Sequence, residues 1–153
     1  MTNIAQMINV LQSMILTDKE KMVLTPTYHV FKMYVPFQDA TFVPVSFDAG
    51  TYTQGNVTLP RVDAVAVKDT QGKLWLALTN VDTQRAAPVT VNVTGLGVRS
   101  AKGDVLTAPR VDSVNSFAAP NTVSPKPITA TARGGRLTIT LPARSVAVVA
   151  LEP

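Results

Sequence analysis

Between Val62 and Asn80, apolar positions alternate on both sides of an Asp-Thr-Gln-Gly centre. Val65 and Val67 fall on one side of the first run; Leu74, Leu76 and Leu78 fall on one side of the second. Strand side chains point alternately to opposite faces, so each run can bury one face. Gly72 can take the positive φ that a four-residue hairpin loop needs near its end. The stretch predicts a β-hairpin. From Ala40 onward, strands are predicted at 41–47, 62–68, 73–79, 89–93, 98–106, 128–132, 137–141 and 146–151. This spacing belongs to a sandwich or barrel. The last two strands read as another hairpin, turning at Pro142-Ala143-Arg144-Ser145. Residues 48–60 and 109–127, rich in Gly, Pro, Asn and Ser, read as loops.

The first forty residues follow another pattern. Ile4, Met7, Ile8, Leu11 and Ile15 recur at helical spacing, with Thr2 or Asn3 placed to cap the start. A helix is predicted over 2–16. Its opposite face, with Gln6, Asn9, Gln12 and Ser13, carries no charge, which suits a helix covered on more than one side. A Gln-rich surface helix is the plainer alternative. Residues 17–21 form a charged turn, 22–25 a short strand ended by Pro26, and 28–34 a short helix. Helix, strand, helix is an α/β grammar, and it stops at Val35-Pro36. A parallel βα unit needs neighbouring strands that these residues do not supply, so truncation is expected.

Composition narrows the function classes. The 153 residues, 46% hydrophobic and 16% charged, suffice for one domain with a real core. Net charge is +4, but the basic residues are scattered; the densest group, Lys19 and Lys21, encloses Glu20. A nucleic-acid surface needs a stripe of Lys and Arg, so no nucleic-acid partner is expected. The absence of cysteine excludes disulfides and thiolate chemistry. The apolar N-terminus has no basic leader, and Gln6, Asn9 and Gln12 interrupt it. It reads neither as a secretory signal nor as a membrane span, so no membrane partner and a cytoplasmic location are expected.

Residues 3–12, NIAQMINVLQ, and 21–34, KMVLTPTYHVFKMY, carry a family resemblance. Together with 62–67, 76–80 and 141–146, they make the chain similar to the C-terminal third of α-L-arabinofuranosidases of glycoside hydrolase family 51. The resemblance implies a mainly β fold. An antiparallel β-sandwich of jelly-roll type (36–153) is preceded by a helix–strand–helix remnant (1–35) of a (β/α)8 barrel. Residues 2–16 are then the helix before the eighth barrel strand, 22–25 that strand, and 28–34 the last barrel helix. Met1 falls where the family has an internal methionine, so an internal start is expected.

Retaining glycosidases need two carboxyl groups about 5 Å apart. The family supplies two glutamates from barrel strands upstream of this stretch. The only glutamates here, Glu20 in a charged turn and Glu152 beside the C-terminus, match neither motif. No catalytic residue is assigned, and inactivity of the chain alone is expected. Barrel enzymes place substrate contacts at the C-terminal ends of strands, which singles out Thr25 and Thr27 as bordering a sugar subsite. Capping of the next helix is the plainer reading of both. The family often has a sugar-binding Gln in this strand; Lys21 and Met22 stand here instead.

His29 is the only histidine and reads as a packed helix residue rather than a metal ligand or base. No cofactor and no metal are expected. Trp75 alternates away from Leu74 and Leu76; interface core is favoured over a sugar platform. The function implied is a non-catalytic C-terminal portion of the arabinofuranosidase, completing its barrel and seating the sandwich. An independent carbohydrate-binding module is the rival, but it would need more exposed aromatics than the single Trp. The expected partners are the missing barrel, arabinose-containing glycans through the parent enzyme, and further copies of the chain. Self-association is expected through residues 1–34, with Met7, Leu11 and Ile15 at the contact.

Overall fold

The computed structural model describes residues 3–134 and 136–153. Strands β1 (Ile15–Asp18) and β2 (Lys21–Leu24) form an antiparallel hairpin, followed by helix α1 (Pro26–Met33) and a 3-10 turn at Val35–Phe37. Then come β3 (Thr41–Val43), β4 (Thr51–Gln54), β5 (Val57–Pro60), β6 (Val62–Lys68), β7 (Leu74–Asn80) and β8 (Ala87–Val91). The remaining strands are β9 (Ser100–Thr107), β10 (Lys126–Thr131), β11 (Leu137–Leu141) and β12 (Ser145–Glu152). Six strands make one antiparallel sheet in the order β10-β9-β12-β7-β6-β3, and β11 pairs with β8 in a second. The fold is mainly β, with antiparallel pairing in every ladder.

The β6–β7 hairpin forms as the alternation requires, from Val62 opposite Asn80 to Lys68 opposite Leu74. Asp69 holds its loop, with Oδ1 accepting from the Gln71 and Lys73 amides, and Gly72 takes φ +84°. The centre of the large sheet is β12, which lies between β7 and β9 and is apolar on both faces. Ala147, Val149 and Leu151 pack with Leu76, Leu78, Leu137, Ile139 and Leu141 under the second sheet. Val148, on the other face, joins Ala77, Leu106, Val123 and Met33 of α1, with Val30, Tyr34, Phe37 and Trp75 around them. Each large side chain so buried contributes roughly 1.5–3 kcal/mol.

Residues 3–16 contain no helix, so the barrel-remnant order of helix, strand, helix is replaced by hairpin then helix. Thr2 lies outside the described residues. Asn9 and Gln12 adopt φ +53° and +62°, which a helix does not accommodate. The Asn9 side chain bonds the chain eight residues on, Oδ1 accepting from the Thr17 amide at 2.7 Å and Nδ2 donating to the Thr17 carbonyl. Such side-chain to backbone bonds compete with helix hydrogen bonding. Ile15 meanwhile pairs on two sides: its amide donates to the Met7 carbonyl, and it sits opposite Leu24 in β1–β2.

Two further expectations are corrected. β11 and β12 follow one another but do not pair: β12 has both edges taken by β7 and β9, and β11 crosses to β8. Leu137, Ile139 and Leu141 are buried while Thr138 and Thr140 are exposed, so β11 suits an outer sheet with one wet face. Residues 48–60 are not wholly loop; β4 and β5 pair across Gly55-Asn56, where Gly55 has φ +58°. Glycine first in a two-residue loop is a hairpin signature.

Two of the four crossings between these sheets, β7 to β8 and β11 to β12, meet at one corner. The Asn80 amide group donates to the carbonyls of Arg85 and Pro142, each at 2.9 Å. Asp82, 1% exposed, accepts from the Gln84 and Arg85 amides and pairs with Arg85 and Arg61. The Gln84 amide is the chief cause of its carboxyl falling to about 2 from 3.8, with the Arg85 bonds adding to it. The unfolded chain therefore binds the proton first as pH falls. Stability from this corner is full above about pH 3.8 and is lost toward pH 2. Urea midpoints should fall more steeply over that window for the native chain than for Asp82→Asn. That variant should already be less stable at neutral pH.

At Gly103, opposite Val149, an added Cβ would overlap the Val148 carbonyl oxygen. Gly103→Ala should cost about 3 kcal/mol or more, read as a lower urea midpoint, because backbone rather than a movable side chain stands in the way.

Candidate functional site

The residues singled out near the N-terminus lie on the hairpin–helix unit. Thr25 caps α1: its Oγ1 accepts from the Tyr28 amide and donates to the Ser13 carbonyl at 2.7 Å. Pro26 fits the first helical turn, where its missing N–H costs nothing. Thr25 and Thr27 border a shallow cleft of about 350 Å³, shared with Val10, Gln12, Leu16 and Ser113. Among the described residues no titratable side chain lines the cleft. It can offer hydrogen bonds and apolar contact but no acid–base chemistry. Ser13 Oγ is buried beside it without a hydrogen-bond partner among the described residues.

The long loop after β9 closes the cleft. Asn115 Nδ2 donates to the Leu24 and Val123 carbonyls, and its Oδ1 accepts from the Val123 amide at 2.7 Å. Val123 in turn belongs to the cluster beneath α1. Asn9 and Asn115 thus fix the N-terminal unit to itself and to the sheet. Neither set of bonds was foreseen from the sequence; an Asn that bonds backbone many residues away has no local signature.

Met7 and Leu11 are 61% and 91% exposed, and Met22 on β2 is 62% exposed. Ile15 is half-buried in β1. Trp75 is half-buried in the α1 cluster, which includes neither Met7 nor Leu11. Its Nε1 donates to Asp69 at 2.8 Å, and Lys73 Nζ stands 5.3 Å from the ring centroid. The four residues expected at an interface therefore fall in two places.

The two glutamates lie on different elements. Glu20 is exposed in the β1–β2 turn. Glu152, at the end of β12, accepts from Ser100 Oγ at 2.8 Å and pairs with Lys102. The Ser100 hydroxyl first, then Lys102, holds its carboxyl below the usual range, opposite to the raised value a general acid needs. His29 packs edge-on to Tyr28 with centroids 5.6 Å apart, and burial, then the Lys32 charge, lowers its pKa. Its Nε2 has no partner among the described residues. Among those residues no cluster of three or more His, Asp or Glu could hold a metal ion.

Residues 1–145 match the family described as the α-L-arabinofuranosidase C-terminal domain. The chain is 42% identical to an intracellular exo-α-L-arabinofuranosidase of Bacteroides ovatus, over 99% of this chain and 30% of that protein. Its fold is similar to that of the GH51 arabinofuranosidase of Xanthomonas axonopodis pv. citri, with TM-score 0.92 and 45% identity over 97% of this chain and 30% of that one. The thermostable GH51 α-L-arabinofuranosidase of Thermotoga petrophila gives TM-score 0.81 at 29% identity, again over 97% of this chain and 33% of that one. The chain thus spans about a third of the length of these relatives. On the match over residues 1–145, it belongs to the α-L-arabinofuranosidase C-terminal domain family.

Proposed function

We propose that the chain serves as the non-catalytic C-terminal portion of an enzyme that hydrolyses terminal α-L-arabinofuranosyl residues from arabinose-containing glycans in the cytoplasm. Residues 1–35 complete a (β/α)8 catalytic barrel, and 36–153 form a jelly-roll sandwich seated against it. Thr25 and Thr27 border the sugar subsite, and Trp75 fills the seam between the two parts. The observation that carries this reading is the N-terminal segment. Asn9 pins its backbone to Thr17, yet Leu11 is 91% exposed and Met7 61%. A fixed segment that leaves large apolar side chains in water is shaped for a surface that covers them.

With that surface absent, the same residues drive association between copies. In sedimentation the chain should gain mass with concentration. Leu11→Asp combined with Met7→Asp should hold it monomeric, with the melting temperature unchanged because neither side chain supports the core. If native and variant chains sediment alike, the segment is no docking surface. The purified chain should also release no 4-nitrophenol from 4-nitrophenyl α-L-arabinofuranoside. Release that is lost on substituting one of its own carboxylates would overturn the non-catalytic assignment.

A further inference from the structure

Three exposed arginines, one just before β9 and two between β10 and β11, are brought together by main-chain bonds. The Ala132 amide donates to the Arg99 carbonyl at 2.7 Å, which sets Arg99 beside the residue that precedes Arg133. Arg133 and Arg136 stand opposite each other across an antiparallel bridge, and each amide donates to the other's carbonyl. Residues so placed hold their Cβ atoms about 4.5–5.5 Å apart, where like charges are destabilising. Among the described residues no acid pairs with them: the ion pairs there are Arg61–Asp82, Arg85–Asp82, Lys102–Glu152 and Arg110–Asp112. From Lys126 to Leu151 the sequence holds no Asp or Glu. Glu152 is near, its carbonyl accepting from the Arg99 amide, but its carboxylate is held by Ser100 and Lys102. Arginines scattered in sequence are thus gathered by the fold into an uncompensated group. Proteins tolerate such local conflicts chiefly where a site requires them.

We propose that Arg99, Arg133 and Arg136 bind the carboxylate of an acidic sugar, a uronate unit of a glycan. A guanidinium meets a planar carboxylate through two parallel hydrogen bonds, so an oxyanion among these side chains replaces their repulsion with charge-assisted bonds. β9, β10, β11 and β12 hold no Phe, Tyr or Trp, so a nucleobase has nothing there to stack on. Phosphate offers the same oxyanion chemistry, and the experiment below separates the two. The inference rests on the reading that the parent enzyme acts on glycans, which supplies a sugar as the body of the ligand. The site shares no residue with the cleft at Thr25 and Thr27.

Titration of the whole chain with trigalacturonate, followed by calorimetry and by the amide shifts of Arg99, Arg133 and Arg136, tests this. Binding should saturate, and Arg133→Gln combined with Arg136→Gln should weaken it about tenfold or more. Lysine at both positions should not restore it, because an ammonium lacks the paired donors. Lys19→Gln combined with Lys21→Gln removes the same charge elsewhere and should leave the affinity unchanged. The glutamine variant should melt no lower than the native chain, since losing a like-charge pair costs the fold nothing. Weakened binding is then not lost structure. Equal affinity in the native and glutamine chains would overturn the proposal, as would the absence of saturable binding. Inorganic phosphate or a short oligothymidylate that binds as tightly as trigalacturonate would also overturn it, because the group would then read phosphate. Each of these results leaves the sedimentation test of Met7 and Leu11 untouched, so the two readings fail separately.

Discussion

A strand that is apolar on both faces cannot rest at a surface, and β12 is such a strand. Ala147, Val149 and Leu151 require cover on one side and Val148 on the other. The rest of the molecule follows from meeting both demands. β7 and β9 occupy its two edges, which pushes β11 out to a second sheet with β8. The opposite face would be open if only strands were available. Met33, Tyr34 and Phe37 close it, with Val123 from the long loop. The hairpin–helix unit is in this sense part of the sheet's packing, whatever larger structure it also serves.

The sequence shows those strands whose environment is simple. The β6–β7 hairpin alternates around a Gly-bearing turn, and both strands form within a residue of the predicted bounds. The partner of β11 was not legible, because alternation at Leu137, Ile139 and Leu141 fixes a buried face but not the strand beside it. β4–β5 lay hidden in a Thr-rich run with little to bury; every residue of β5 is exposed. Only the Gly55-Asn56 pair marked it. Residues 3–16 misled for a deeper reason. Their apolar spacing fits a helix, but isolated helices of that length are marginal, and two left-handed residues with the Asn9–Thr17 bonds outweigh the periodicity.

The candidate site was legible to a similar extent. Thr25 stands at a strand end before a proline-started helix, as its position indicates, and it caps that helix. Met7 and Leu11 were identifiable as apolar residues and are exposed, although the helix expected to carry them does not form. Ile15 and Trp75 were not separable from them in sequence, because burial by hairpin pairing or by α1 depends on distant chain. Nothing in the sequence marked the roles of Asp82 and Asn80. Their importance comes from Arg61 and Pro142, partners brought in by the fold rather than by spacing.

The claim that one sheet depends on cover from both sides is tested most directly by native-state hydrogen exchange on the intact chain. Amides of α1 around Val30 and Met33 should open with the same free energy and the same denaturant dependence as those of β12. Such agreement would mean that the helix and the central strand unfold as one unit. If α1 exchanges freely at low denaturant while β12 stays protected to the global limit, the helix is an appendage and the account of the sheet is wrong.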